Sequence, residues 1–184
     1  MLDTRELGRR PGSQRTVSFT APAPADLGIE VLRVPEGSPV ELDLRLEAVM
    51  EGVLVTGTAR AELTGECARC LEPLRDDVEV DLQELFAYEE SDTAADEEED
   101  DAGRLEGDLL DLEPLLRDAV VLSLPFQPLC RDDCPGLCIE CGARLAEDPD
   151  HQHEAAIDPR WSALRELADE TDEQRGRETG PTEE

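Results

Sequence analysis

The sequence predicts an α+β fold, with an antiparallel β-meander packed on a buried helix, cysteine knuckles and a short C-terminal helix. Apolar and polar residues alternate with a period of two in the first half of the chain, as they do in half-buried strands. One apolar segment of the second half has helical spacing instead. All six cysteines lie in two short segments, a distribution typical of metal-binding knuckles.

The composition bounds the function classes. The chain of 184 residues has 47 acidic and 17 basic residues, for a formal net charge of -30. Every basic residue is arginine, and the absence of lysine excludes a P-loop lysine, a Schiff-base lysine and the kinase lysine. Phosphate backbones repel so acidic a protein, and its natural partners are cationic surfaces.

Residues 1–16 are the one locally basic part of the chain, because they hold Arg5, Arg9, Arg10 and Arg15. With Pro11 and Gly12 following, they predict a flexible arm, which has no role of its own or contacts RNA or a partner. No apolar leader begins the chain and no apolar run has the length of a membrane span. We therefore expect a cytoplasmic protein.

A single domain is predicted over residues 17–168. Val17 and Phe19 form a short alternation, and residues 29–34 read as a short strand before a turn. Alternation then becomes regular in three segments, joined by short connections that favour a meander with one solvated face. These segments are residues 40–48, 53–63 and 78–82.

An acidic stretch interrupts the domain, because nine of the thirteen residues from Glu89 to Asp101 are Asp or Glu. We predict a disordered acidic loop over residues 89–107. This loop is either a solvated spacer or a lure for a cationic protein.

The helix is predicted to begin near Asp111, a possible cap, with Pro114 in its first turn and Pro125 after its end. Apolar residues cover it nearly all round, so we expect it to be the buried element beneath the sheet. Asp158 and a first-turn proline predict the short C-terminal helix, whose apolar face carries Trp161, Leu164 and Leu167. Residues 169–184 read as a disordered tail.

The cysteines and histidines offer eight metal ligands in four pairs. In a reducing compartment such a set indicates metal binding more than disulfides. Two segments have the Cys-x-x-Cys form of candidate zinc knuckles, and the second is followed by Gly142. The pairs are Cys67 with Cys70, Cys130 with Cys134, Cys138 with Cys141, and His151 with His153.

The partition that we favour is one zinc site from the first two pairs and another from the last two. An alternative joins the two Cys-x-x-Cys knuckles in one ribbon-like site, and the histidine pair is alternatively an exposed polar turn. Either way the expected role is structural, because a catalytic zinc keeps an open position with a base nearby. Both histidines are already assigned to metal, so no Ser-His-Asp candidate survives, and the sequence has no phosphate-binding glycine loop. We therefore expect no enzyme.

Four segments of the chain resemble the YceD-like family, called large ribosomal RNA subunit accumulation proteins. The start, Leu2-Asp-Thr-Arg-Glu-Leu-Gly-Arg-Arg-Pro11, is similar to the actinobacterial branch. The resemblance extends over about residues 15–168 in the same order. Its segments are Thr64-Gly-Glu-Cys-Ala-Arg-Cys-Leu71, Leu122-Ser-Leu-Pro125, Pro128-Leu-Cys130 continuing through Cys134-Pro-Gly-Leu-Cys-Ile-Glu-Cys-Gly-Ala-Arg-Leu145, and Ile157-Asp-Pro-Arg160.

The resemblance implies a role in synthesis, processing or stability of the large-subunit (23S) ribosomal RNA, without catalytic activity. Some members of the family lack the Cys138 knuckle but keep counterparts of the first pairs, which favours two separate sites. Many carry Cys-x-Cys where this chain has His151-Gln-His153, a replacement that is compatible with zinc.

The leading hypothesis is thus a zinc-stabilised ribosome assembly factor that contacts a basic ribosomal protein or a large-subunit precursor. A second hypothesis is a direct RNA-binding protein that uses the N-terminal arginines as phosphate contacts. A third is a thiol redox or zinc-delivery protein with labile metal.

Overall fold

A computed structural model of the chain describes residues 1–88 and 103–153. Within those residues it has eight strands and one helix, most of them in one antiparallel sheet, so the α+β class is confirmed. In chain order the elements are β1 (Leu2–Asp3), β2 (Gln14–Pro22), β3 (Gly28–Ile29), β4 (Leu32–Arg33), β5 (Pro39–Ala48), β6 (Gly52–Glu66), β7 (Pro73–Ala87), β8 (Leu109–Leu110) and α1 (Glu113–Ser123).

The predicted meander is the centre of the sheet. β5, β6 and β7 are joined by short connections, and β6 lies in the middle with β5 on one side and β7 on the other. Alternate residues of β5 are buried, from Val40 through Leu44 and Leu46 to Ala48. Each fully buried Leu or Val contributes about 1.5–3 kcal/mol relative to an exposed one, so this face holds the core.

Two strands are longer than the alternation predicted. β7 begins at Pro73 and pairs with β6 along all 15 of its residues. The segment Arg75-Asp-Asp77 breaks the apolar pattern, but backbone pairing continues because it does not depend on side-chain polarity. β2 extends over 9 residues beside β5, and the segment 29–34 forms two short strands, β3 and β4, instead of one.

Gly57 shows how closely the central strands approach. A Cβ atom at this position would lie 2.1 Å from the carbonyl oxygen of Asp43 on β5. No side chain fits at that distance, because both atoms belong to paired backbones that cannot separate locally. The glycine is therefore required by the pairing of β5 with β6.

The helix α1 begins and ends where the sequence predicted. Asp111 accepts a hydrogen bond from the backbone N–H of Glu113 over 3.1 Å, and Pro125 follows the C-cap residue. The helix is not buried as a whole, although its apolar composition predicted the buried element beneath the sheet. One stripe, which includes Leu116 and Val120, is buried, whereas Leu122 is 85% exposed. Three leucines and a valine at intervals of four residues suffice to cover the sheet.

The structure also differs from the predicted flexible arm. β1 pairs with β8, and the backbone N–H of Thr4 donates to the carbonyl oxygen of Asp108 over 2.9 Å. Leu7 is buried in the main core. A strand of two residues whose partner lies more than a hundred positions away gives no periodic signal in the sequence.

The end of the predicted acidic loop, residues 103–107, belongs to the fold. Leu105 is buried, and its N–H donates to the carbonyl oxygen of Ala87. Residues 89–102 and the segments predicted as a C-terminal helix and a disordered tail lie outside the described residues. Within the described part of the chain, no helix is long and apolar enough to cross a membrane. The chain divides into two compact units, Met1–Leu137 and a second that begins at Cys138.

Candidate metal centres

The first knuckle follows the end of β6. After Glu66 the chain turns back on itself, and the N–H of Leu71 donates to the carbonyl oxygen of Cys67 over 2.9 Å. The N–H of Cys67 donates in turn to the carbonyl oxygen of Glu72, also over 2.9 Å. Leu71 has a φ of 59°, in the left-handed region. This tight turn brings the Cys67 and Cys70 sulfurs to the same side of the backbone.

The segment after α1 supplies the facing pair. The N–H of Ala68 donates to the carbonyl oxygen of Pro128 over 2.8 Å, which joins the knuckle to the chain just before Cys130. Nη1 of Arg69 donates to the carbonyl oxygen of Cys134 over 3.0 Å. These two hydrogen bonds hold the two cysteine pairs face to face.

The four sulfurs have the geometry of a metal site. Sγ of Cys67 lies 3.8 Å from Sγ of Cys134, and Sγ of Cys70 lies 3.7 Å from Sγ of Cys130. A tetrahedral site with metal–sulfur bonds of about 2.3 Å has sulfur–sulfur edges of about 3.8 Å. All four ligand atoms lie within 4.8 Å of one another, and three of the four residues are buried. The residues therefore fit one four-coordinate ion.

The pKa values of these thiols also favour a bound cation. Burial raises the pKa of the Cys67 thiol, but backbone hydrogen bonds from Cys130, Cys70 and Arg69 outweigh it and lower the pKa to about 6. The Cys134 thiol, followed by burial, raises the pKa of Cys130 to about 12. Four thiolates this close repel one another, so full ionisation needs a bound cation.

The second group lies in the unit that begins at Cys138. Its knuckle repeats the hydrogen bonds of the first: the N–H of Gly142 donates to the carbonyl oxygen of Cys138 over 2.9 Å, and the N–H of Cys138 donates to that of Ala143 over 2.8 Å. Gly142 has a φ of 73°, in the left-handed region that favours glycine. Backbone hydrogen bonds from Cys141 and Glu140 lower the pKa of Cys138 to about 6.

Both histidines direct Nε2 toward this knuckle. The Nε2 atoms lie 3.2 Å and 3.3 Å from Sγ of Cys141, for His151 and His153 respectively, and 2.9 Å from each other. A tetrahedral zinc with two sulfur and two nitrogen ligands has edges of about 3.5 Å and 3.3 Å for these pairs. One proton can lie between only two of the three atoms Cys141 Sγ, His151 Nε2 and His153 Nε2, whereas one central metal ion can bind all three.

Carboxylates lie behind both imidazoles. Nδ1 of His151 is 3.5 Å from Oδ2 of Asp148, and Nδ1 of His153 is 3.4 Å from Oε2 of Glu140. A carboxylate at Nδ1 keeps the proton there and leaves the Nε2 lone pair for a metal. The sequence analysis missed these two acids. Their positions three residues before His151 and between Cys138 and Cys141 were the available signal.

The structure thus brings all eight predicted ligand residues into two groups that can each hold a metal ion. The groups have the same membership as the favoured partition. Sequence analysis also missed Arg69 and Gly136. Gly136 has a φ of 79°, and a Cβ there would lie 3.1 Å from the carbonyl oxygen of Arg69, so the loop between Cys134 and Cys138 packs tightly on the first knuckle.

Comparison with known proteins gives the family. The chain is 52% identical over 176 residues to an uncharacterized protein of Mycobacterium tuberculosis. This match covers 95% of the present chain and 84% of the mycobacterial protein. It is 45% identical to an uncharacterized protein of Mycobacterium leprae over 91% of this chain and 76% of the relative. The uncharacterized protein YlbN of Bacillus subtilis is 29% identical, over 74% of this chain and 78% of YlbN.

No solved structure matches the chain at a comparable level. A family model described as "Large ribosomal RNA subunit accumulation protein YceD" matches residues 55–168. That range includes β6 from Val55 onward, β7, the helix and both ligand groups. The chain therefore belongs to the YceD family of large ribosomal RNA subunit accumulation proteins.

Proposed function

We propose that each ligand group holds one structural zinc ion. Zinc accepts sulfur and nitrogen ligands in a tetrahedron, and the donor sets are four thiolates in one group and two thiolates with two imidazoles in the other. Four protein ligands leave no open position for water or a substrate. The zinc therefore crosslinks the chain, and we infer that the protein is not an enzyme.

The cellular role that we propose is in the accumulation of large-subunit ribosomal RNA, through contact with a basic protein or a basic precursor surface in the cytoplasm. Membership of the YceD family carries this proposal. The formal net charge of -30 supports the choice of partner, because it attracts cationic surfaces and repels bare RNA. The acidic stretch of residues 89–107 adds to that attraction.

Contacts of the N-terminal arginines favour this proposal over direct RNA binding. Arg9 lies 3.5 Å from Oδ1 of Asp108, and Arg15 lies 2.7 Å from Oε2 of Glu6. Arg5 is paired with Asp3, which lowers the pKa of that carboxyl to about 2. Exposed ion pairs are weak, but nearby carboxylates still cancel much of the positive potential that would attract phosphate.

The experiment that tests this role is sedimentation of the native protein in extract gradients at low and high salt. Co-migration with large-subunit precursors, released by salt, is the expected result. Migration only as a free small protein at both salt concentrations would contradict a stable ribosomal contact. A variant lacking residues 90–101 tests the acidic segment separately. If this variant fully complements a strain that lacks the protein, the acidic segment is not part of the partner contact.

The thiol redox or zinc-delivery hypothesis makes the opposite prediction for the metal. Zinc delivery requires labile metal, whereas a structural site with three buried cysteines should release zinc slowly to a competing chelator. We expect slow release from the first group.

A further inference from the structure

Among the residues that the structure describes, β7 has one paired edge and one edge that is open over most of its length. β6 pairs with β7 along its whole length, and among the described residues the other edge has a single bridge, from Ala87 to Arg104. The N–H of Tyr88 donates to the carbonyl oxygen of Glu51 on the β6 side, whereas the N–H of Ala87 donates to Gly103 on the other side. Because backbone groups alternate along a strand, Leu85, Gln83 and Asp81 direct theirs to the open edge.

A groove runs between this open edge and the helix α1. Its volume is about 380 Å³, which lies in the range of ligand-binding clefts. The β7 wall includes Asp81, Gln83 and Phe86, and the helix wall is one face of α1 with Leu115 and Asp118. The groove therefore combines backbone groups that no described residue pairs with on one side and side chains of a helix on the other, an arrangement that accommodates an added strand.

The charge of the groove identifies the kind of chain that it accepts. Asp81, Glu84, Asp111 and Asp118 line it, with Arg104 as the one base among its lining residues. Phe86, Leu115 and Ala119 supply apolar surface between these acids. Basic side chains of an added strand match these acids, and its apolar side chains match Phe86, Leu115 and Ala119.

We propose that the groove between β7 and α1 binds an extended, basic segment of a partner polypeptide, which pairs with the open edge of β7. This inference rests on the proposed function and names the contact surface for its basic partner. Residues 103–105 already use the end of the same edge, since the N–H of Leu105 donates to the carbonyl oxygen of Ala87 over 3.0 Å. The partner segment extends that pairing toward Asp81.

The test uses the zinc-loaded full chain and a fluorescent synthetic peptide of alternating arginine and valine. Two derivatives carry N-methyl groups on alternate amides, one on the odd residues and the other on the even residues. Strand addition uses only one set of amides, so one derivative should lose at least about tenfold in affinity and the other should bind like the parent. Equal affinity of both derivatives would overturn strand pairing.

A pair of charge variants places the site. Asp81→Asn with Asp118→Asn should weaken peptide binding at least about fivefold. The control, Glu36→Gln with Glu41→Gln, has the same net charge but leaves the groove intact, and it should bind normally. Equal weakening by both pairs would overturn the groove as the site, as would peptide binding that arises only after deletion of residues 90–101, because the chain itself would then be the occupant.

Gradient sedimentation separates this proposal from the proposed function. If the Asp81→Asn, Asp118→Asn variant still co-migrates with large-subunit precursors at the wild-type level, the groove is overturned as the contact and the cellular role stands. Loss of co-migration by this variant but not by the Glu36→Gln, Glu41→Gln control is the expected result.

Discussion

Replacing Cys130 and Cys134 by serine tests the first metal centre as a clamp on the fold. These residues form one side of the four-sulfur group, and Cys134 is 2% exposed. Cys70 and Cys130 are 60 residues apart along the chain. Removing a crosslink across a loop of that length corresponds to about 4 kcal/mol of unfolding free energy. For a unit of this size the loss lowers Tm by roughly 10–15 °C.

The assay is thermal and urea unfolding of the zinc-loaded proteins, followed by circular dichroism of the sheet. Cys138→Ser with Cys141→Ser is the matched control, because it removes the same number of thiols from a group whose ligands all lie in the second unit. We expect the control to change the main transition little. Equal shifts for both pairs, or a loss below about 1 kcal/mol for the first, would refute the clamp.

Three further predictions concern the backbone and the thiols. Gly57→Ala should lower the unfolding free energy in urea by at least about 3 kcal/mol, since its Cβ would meet the Asp43 backbone at 2.1 Å; a loss below about 1 kcal/mol would contradict the close approach. Leu71→Val should be less stable in thermal unfolding than Leu71→Asn by about 1 kcal/mol, because the φ of 59° suits asparagine and excludes a β-branched residue; the reverse order would contradict the left-handed turn. In metal-free protein, the rate at which iodoacetamide alkylates Cys138 should rise with pH around a pKa of about 6 instead of 9.0. The folded pKa lies below the unfolded one, so this thiolate stabilises the knuckle at high pH and ceases to do so as the pH falls through 6. Alkylation that titrates near 9 would show that the metal-free knuckle is not formed.

The parts of the fold that sequence predicted well are those with a repeated local signal. The alternation of apolar and polar residues over 40–48 predicts a strand with one buried face, and β5 has this pattern of burial. The four ligand pairs were visible as local spacings, whereas their partition into two groups stayed open between two arrangements until the chain was folded. The start of the helix just after Asp111 and its stop at Pro125 are likewise local.

Other features depend on contacts between distant residues, which a single sequence does not encode in any periodic way. The pairing of Leu2 with Leu110 is of this kind. So is the exposure of Leu122, because an apolar helix surface does not say which face the sheet will cover. The groove between β7 and α1 exists only once the strand edge and the helix are placed side by side.

Native mass spectrometry of the purified chain, combined with zinc X-ray absorption, tests the central claim most directly. The account predicts a mass with two zinc ions per chain and an average of three sulfur and one nitrogen ligands per ion, as the two groups together supply. The Cys130→Ser, Cys134→Ser variant should retain one ion, bound by two sulfurs and two nitrogens. A single ion with four sulfur ligands would contradict the account. A chain that binds no zinc but still has a folded sheet would also contradict it.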